Sequence, residues 1–132
     1  MTTDESTQLA RKRTTMALER SFLAFERTLM AWLRTSLSMI SFGFTLVKFF
    51  EYLEDNRGAP IVGHFGRTWA PTTVGMAMIV IGTGALITAV IQHRRRVQAL
   101  RREGLLPQWN LAFNVAVLVA MLGVYALAAL VV

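Results

Sequence analysis

Two stretches of this chain carry no charged side chain over a length that can cross a membrane: residues 68–93, which end just before Arg94, and residues 108–132, which run to the last residue. A hydrocarbon core about 30 Å thick takes roughly 20 helical residues at about 1.5 Å each. Both stretches are therefore read as transmembrane helices. A third segment, residues 29–53, has the length but contains Arg34 and Lys48. With 54% hydrophobic residues in a chain of 132, the surplus of apolar surface must face lipid. The expected fold is an all-α membrane protein of three transmembrane helices, at about 29–53, 71–92 and 110–132. Residues 1–12 are expected to form a mobile polar tail ahead of one three-helix domain over 13–132.

The placement of Lys and Arg sets the expected orientation. Arg11, Lys12, Arg13, Arg20 and Arg27 precede the first span, and Arg94, Arg95, Arg96, Arg101 and Arg102 lie between the second and third. The connection between spans one and two holds only Arg57 and Arg67, beside Glu54 and Asp55. It is expected outside, with the amino terminus and a 93–109 loop in the cytoplasm, the carboxyl terminus at the outer face, and the first helix extended into the cytoplasm. Residues 1–20 are polar and basic, without the apolar core of a cleavable signal. Turn formers at Gly58, Pro60, Gly63 and Gly66 break the helix in the outer connection, and Pro71 suits a first helical turn. Trp32, Tyr52, Trp69 and Trp109 lie near span ends, where amphipathic rings anchor at the headgroups. Gly75, Gly82, Gly84 and Ala89 read as close-packing positions in the second span.

Counting by sevens from Arg13 gives Arg13, Arg20, Arg27, Arg34, Ser41 and Lys48, all polar and all but one cationic. The positions four residues on are Ala17, Ala24, Ala31, Ser38, Thr45 and Tyr52, small or weakly polar until the outer end. Phe22, Phe25, Leu29, Leu33, Ile40, Phe44 and Val47 occupy other rows, so one helix carries a cationic, small-residue face opposite a bulky apolar one. A seven-residue row drifts only about 20° per heptad, which slight supercoiling absorbs. A charge within the bilayer costs several kcal/mol and is normally turned to a bundle interior, an aqueous cavity or a partner. Three helices are too few to enclose a cavity. Several copies around an axis can, with Arg27, Arg34 and Lys48 in stacked rings about 10 Å apart. A second reading stands beside this one: the positive-inside rule accounts for Arg13, Arg20 and Arg27, and Arg34 snorkels to the interface. The uncharged stretch between Arg34 and Lys48 rises only about 20 Å, however, and cannot cover the hydrocarbon alone.

Rings of Arg or Lys select anions, and guanidinium matches phosphate with paired N–H donors. Phosphate or polyphosphate is the favoured ligand class, with Arg96, Arg101 and Arg102 extending a basic mouth; contact with acidic lipid is the other reading of that segment. No nucleic-acid module accompanies the basic residues, so no nucleic-acid partner is expected. Glu19 and Glu26 are read as ion-pair partners of the arginine rows rather than as catalytic acids, since no nucleophile or third group joins them. His64 and His93 are isolated and read as interfacial. With no cysteine in the chain, no disulfide or Cys-ligated metal site is available; for want of a catalytic constellation no cofactor is expected and the protein is read as no enzyme.

The run Phe25-Glu26-Arg27-Thr28-Leu29-Met30-Ala31-Trp32-Leu33-Arg34-Thr35-Ser36-Leu37 resembles the Glu-Arg-Thr-x-x-x-Trp-Leu signature of the DUF202 family. That family includes bacterial YidH-like inner-membrane proteins and the membrane domain of the vacuolar transporter chaperone, a eukaryotic polyphosphate polymerase complex. The likeness continues through Arg96, Leu100-Arg101-Arg102 and Gly104. For the eukaryotic complex the family implies a ring of such domains around a basic pore that passes polyphosphate; for this chain the resemblance implies a homo-oligomeric ring, of which a pentamer is one form, and a place in the bacterial inner membrane. Carried residue by residue, it implies Arg20, Arg27 and Arg96 as pore cations with Glu26 as acidic neighbour; Arg34 belongs to the bacterial version. The chain departs from the eukaryotic pattern at Gln108-Trp109-Asn110, where acidic residues would stand, and it has no polymerase domain. Two functions follow as expectations: a homo-oligomeric anion conduit with Arg20, Arg27, Arg34, Lys48 and Arg96 in the pore, supported by Ser38, Ser41 and Thr45, or an accessory subunit that assembles with another membrane protein or enzyme.

Overall fold

A computed structural model of the chain describes residues 2–57, 71–105 and 109–132. The described residues form three helices: α1 (Thr3–Arg57), α2 (Pro71–Arg102) and α3 (Leu111–Val131). All three are long and apolar enough to cross a membrane, as expected. At about 1.5 Å per residue, the 55 residues of α1 reach roughly 80 Å, far beyond any hydrocarbon core. The outer connection, with Gly58, Pro60, Gly63, His64, Gly66, Arg67 and Trp69, lies outside the described residues.

The pairing of α1 with α2 rests on rows of small residues. In lipid no hydrophobic force drives helix to helix, so close backbone approach and the packing it allows must do so. Gly43 and Gly75 meet directly: a Cβ on Gly43 would lie 2.6 Å from the Gly75 carbonyl oxygen, and one on Gly75 would lie 2.7 Å from that of Gly43. Seven residues away on each helix, Gly82 packs on Ser36, where a Cβ would come 3.1 Å from the Ser36 carbonyl oxygen. Seven further, Leu29 and Ala89 share a buried cluster with Leu33, Leu86 and Ala116 of α3. The helices therefore run antiparallel in a seven-residue register, with Gly43, Ser36 and Leu29 against Gly75, Gly82 and Ala89. Gly75, Gly82 and Ala89 behave as the sequence suggested. Gly84 does not: it is exposed, and nothing lies within 4 Å of its would-be Cβ. α3 seats on this pair at Gly123, where a Cβ would meet the Thr83 hydroxyl at 2.6 Å.

Beyond the membrane-crossing part, Leu18 and Phe22 of α1 pack with Val97 of α2 and with Leu105, and Leu100 joins them. This cluster corrects the expectation of a loop over 93–109, because α2 continues as helix to Arg102. The basic run contains good helix formers, and His93, Val97 and Leu100 at helical spacing turn one face toward the rest of the bundle. The end is closed by a Schellman motif. Gly104 takes φ +110°, its N–H donates to the Arg101 carbonyl at 3.2 Å, and the Leu105 N–H donates to the Leu100 carbonyl at 3.1 Å. The expected tail is helical from Thr3 onward, although no described residue before Leu18 is buried.

Two glycine-to-alanine changes test the register by opposite signs. Gly43→Ala forces backbone off backbone and is expected to lower stability by about 1–3 kcal/mol. Gly84→Ala, on an open helix face, removes only the conformational cost of glycine and is expected to be neutral or to stabilise by up to about 1 kcal/mol. Thermal unfolding of the purified protein in detergent reads both.

Candidate functional site

On a helix, moving two residues turns the face by about 200°. The row Leu29, Ser36, Gly43 is buried against α2, so the row Arg27, Arg34, Ser41 points away from the subunit's own core. Arg13, Arg20, Arg27, Arg34, Ser41 and Lys48 are all exposed, and so are Ala17, Ala24, Ala31, Ser38, Thr45 and Tyr52 beside them. Of the residues assigned to other rows, Phe22, Leu29, Leu33, Ile40 and Val47 are buried, Phe25 is half-buried and Phe44 is exposed.

Inter-helix register also gives depth. Ser36 packs on Gly82, which stands near the middle of the uncharged stretch 68–93. Arg34, two residues from Ser36, is therefore about 3 Å along the axis from that level. By the same register Arg27 lies near the α2 level of Ile91 and Gln92, at the basic edge of the stretch. Lys48, five residues beyond Gly43, lies close to the opposite edge. Arg34 is the cation at mid-span.

The Ser38 and Thr45 hydroxyls on this face satisfy themselves along their own helix. The Ser38 Oγ donates to the Arg34 carbonyl at 2.9 Å, and the Thr45 Oγ1 donates to the Ser41 carbonyl at 2.9 Å. The charges differ. Lys48 Nζ is held 2.8 Å from Glu51 Oε2, which is the one ion pair among the described residues. Arg20, Arg27 and Arg34 have no such partner among those residues. The pairing of Lys48 leaves it less available to a ligand than the arginines.

Arg96 reaches α1 from the other helix. Its guanidinium lies 5.5 Å from the centre of the Phe25 ring, a cation–π distance. Beneath it a hollow between α1 and α2, lined by Phe25, Thr28, Trp32, Gln92, His93 and Arg96, has a volume of about 20 Å³. That is room for a water but not for a phosphate. Thr28 and Trp32 also border the open depression that contains Arg27, so Arg96 and Arg27 flank one continuous surface. Glu26 is half-buried.

The structure also builds a second basic feature that the sequence did not reveal. The sequence places His93 at the interface, yet it is only 4% exposed and stacks on Phe113 of α3 with ring centroids 6.3 Å apart. With Arg94, Gln98 and Arg101 of α2 and Asn110 and Phe113 of α3 it lines a cleft of about 380 Å³. Neither ring nitrogen of His93 nor Oδ1 of Asn110 has a hydrogen-bond partner among the described residues. Arg102 and Arg95 are exposed but do not line this cleft. The spacing of His93, Val97 and Leu100 hinted at an inward face; that Asn110 and Phe113 complete a cleft there needed the position of α3. Tyr52 and Trp109 are exposed, as headgroup anchors need to be; Trp32 is exposed too, but two residues from Arg34 it lies within the span rather than at its end.

No curated protein and no solved structure matches the chain. One family profile does, described as a domain of unknown function, DUF202, and it matches residues 20–99. These residues carry the Glu26-Arg27-Thr28 run, the Gly43–Gly75 contact and Arg96. The match covers more than half of the chain, and the protein belongs to the DUF202 family.

Proposed function

We propose that this chain is a subunit of a homo-oligomeric anion conduit in the bacterial inner membrane, with the cationic face of α1 turned to a shared axis and phosphate or polyphosphate as the favoured ligand. One observation carries the reading: Arg34 stands at mid-span on a face that neither α2 nor α3 covers. An arginine there facing lipid costs several kcal/mol, and about 13 Å separates it from the His93 level, more than its side chain spans comfortably. A second copy removes that cost by replacing lipid with a polar, water-accessible surface. The row of Ala24, Ala31 and Ser38 beside the arginines lets neighbouring α1 helices approach closely.

In such a ring Arg20 and Arg27 line the entrance, Arg34 the constriction, and Arg96 extends the mouth through its contact with Phe25. Ser38, Ser41 and Thr45 supply a small, weakly polar wall beyond Arg34. Lys48 neutralises Glu51 at the exit, and Arg101 and Arg102 add to the field around the entrance. The basic ends of α1 and α2 then face the cytoplasm by the positive-inside rule, with the carboxyl terminus outside. The chemistry is passage, not catalysis: anions exchange between successive guanidinium rings, each binding well enough to admit them and weakly enough to release them. The relation of DUF202 to the polyphosphate-handling membrane domain noted from the sequence supports this ligand class as analogy.

Reconstituted in liposomes, the protein is expected to pass phosphate or short polyphosphate. Arg27→Ala and Arg34→Ala are each expected to reduce that flux by about tenfold, equivalent to roughly 1.4 kcal/mol of lost anion stabilisation. Unchanged flux in both variants removes the row from the mechanism. No flux in the unmodified protein, with stoichiometric co-purification of another membrane protein, favours the accessory-subunit function instead. Because the chain has no cysteine, Ser38→Cys introduces a single thiol on the proposed axis-facing side. A short bis-maleimide is expected to link copies through it, while Leu118→Cys, on the exposed face of α3, gives no link.

A further inference from the structure

Along α2, the positions Ile87, Ile91, Arg94 and Arg101 recur at helical spacing on the face beside α3. Along α3, Asn110, Phe113, Val117, Met121 and Val124 do the same on the face beside α2. The seam between the two helices changes character part-way. At the arginine-rich end it is the polar cleft of about 380 Å³ with His93, Arg94, Arg101 and Asn110. Deeper in the span it becomes a groove of about 340 Å³ walled by Ile87, Ile91, Val117, Met121 and Val124. A cationic head compartment and an apolar groove thus follow one another along the same α2–α3 seam.

We propose that this seam is a binding site for one anionic phospholipid, its phosphate in the cleft and one acyl chain in the groove. The site does not depend on the α1 row, which lies on another face. Three observations point to a ligand. Arg94 and Arg101 give paired N–H donors of the geometry phosphate prefers. His93, more than nine-tenths buried, lines the cleft with neither ring nitrogen hydrogen-bonded among the described residues, although the Phe25 backbone acts on it from the α1 side. The first turn of α3 borders the cleft, and Asn110 makes no side-chain cap to it, so its backbone N–H groups and the positive end of its dipole complement an anion. Glu26, on the α1 side, also acts on His93 electrostatically, opposite in sign to Arg96. The adjoining groove decides between a lipid and a free phosphate: an inorganic ion leaves the apolar groove unused, whereas a diacyl lipid fills both compartments. Basic pockets between transmembrane helices at the positive side are suited to such headgroups.

The test is native mass spectrometry of the purified protein in detergent, titrated with phosphatidylglycerol, with phosphatidylcholine and with inorganic phosphate. A phosphatidylglycerol adduct is expected at concentrations where phosphatidylcholine gives about a tenth as much. The double variant Arg94→Ala, Arg101→Ala is expected to lose the adduct by about tenfold or more. The double variant Arg95→Ala, Arg102→Ala has the same net charge but spares the cleft, and is expected to stay within about twofold of the unmodified protein. All four arginines are exposed, so neither double variant removes core packing. Ala120→Trp, which fills the groove, is expected to reduce the adduct without touching a charge. Equal loss in the two arginine pairs reduces the effect to general surface charge and overturns the proposal. Equal retention of phosphatidylcholine also overturns it, as does displacement of the lipid by millimolar inorganic phosphate.

Discussion

The contact between the Gly43 and Gly75 backbones is what the rest of this architecture depends on. It brings α1 and α2 as near as two helices can come, and it fixes which residues share a level. Once Gly43 faces Gly75 and Ser36 faces Gly82, Leu29 falls beside Ala89 and Phe22 beside Val97. α3 then has one groove to fill, and Gly123 lets it settle onto Thr83. Apolar attraction alone cannot do this in lipid, where an exposed leucine is as comfortable as a buried one.

The same contact dictates what α1 shows to its surroundings. A helix buried along Leu29, Ser36 and Gly43 must present Arg27, Arg34 and Ser41 on the other side. The opposition of faces is therefore built into a repeat of seven carried on two rows at once. The Ser38 and Thr45 hydroxyls on the outer face bond to their own helix, and Lys48 bonds to Glu51, which leaves the guanidinium groups as the part of the surface with unmet demands. In a single subunit Arg34 would hold a full charge against acyl chains. The proposed ring resolves that conflict and turns the arginines into its working surface.

Much of this was legible in the residue order. The uncharged stretches gave the second and third helices, and the heptad of cations gave the exposed face of α1, because both depend only on periodicity along one chain. The matching row of small residues on α1 is present too, as Ser36 and Gly43 seven apart, but two small residues are a weaker signal than the five cations seven apart on the opposite face. Gly84 reads the same as Gly82 in a sequence; only the position of α1 separates the packed glycine from the open one. The basic run after His93 signals the cytoplasmic side by its charge, and that signal hides its helicity, which comes from Val97 packing on Phe22 and Leu18. The cleft at His93 was least legible, since half of it belongs to α3 and no spacing within either helix predicts the pairing.

The central claim is positional, and an electron cryomicroscopy structure of the purified protein in lipid nanodiscs tests it most directly. The account predicts a closed ring in which Arg27 and Arg34 of every copy face a common axis while Gly43 stays against Gly75 within each subunit. A monomer, or an oligomer whose Arg34 side chains lie against lipid or reach to the headgroups outside the ring, would contradict it.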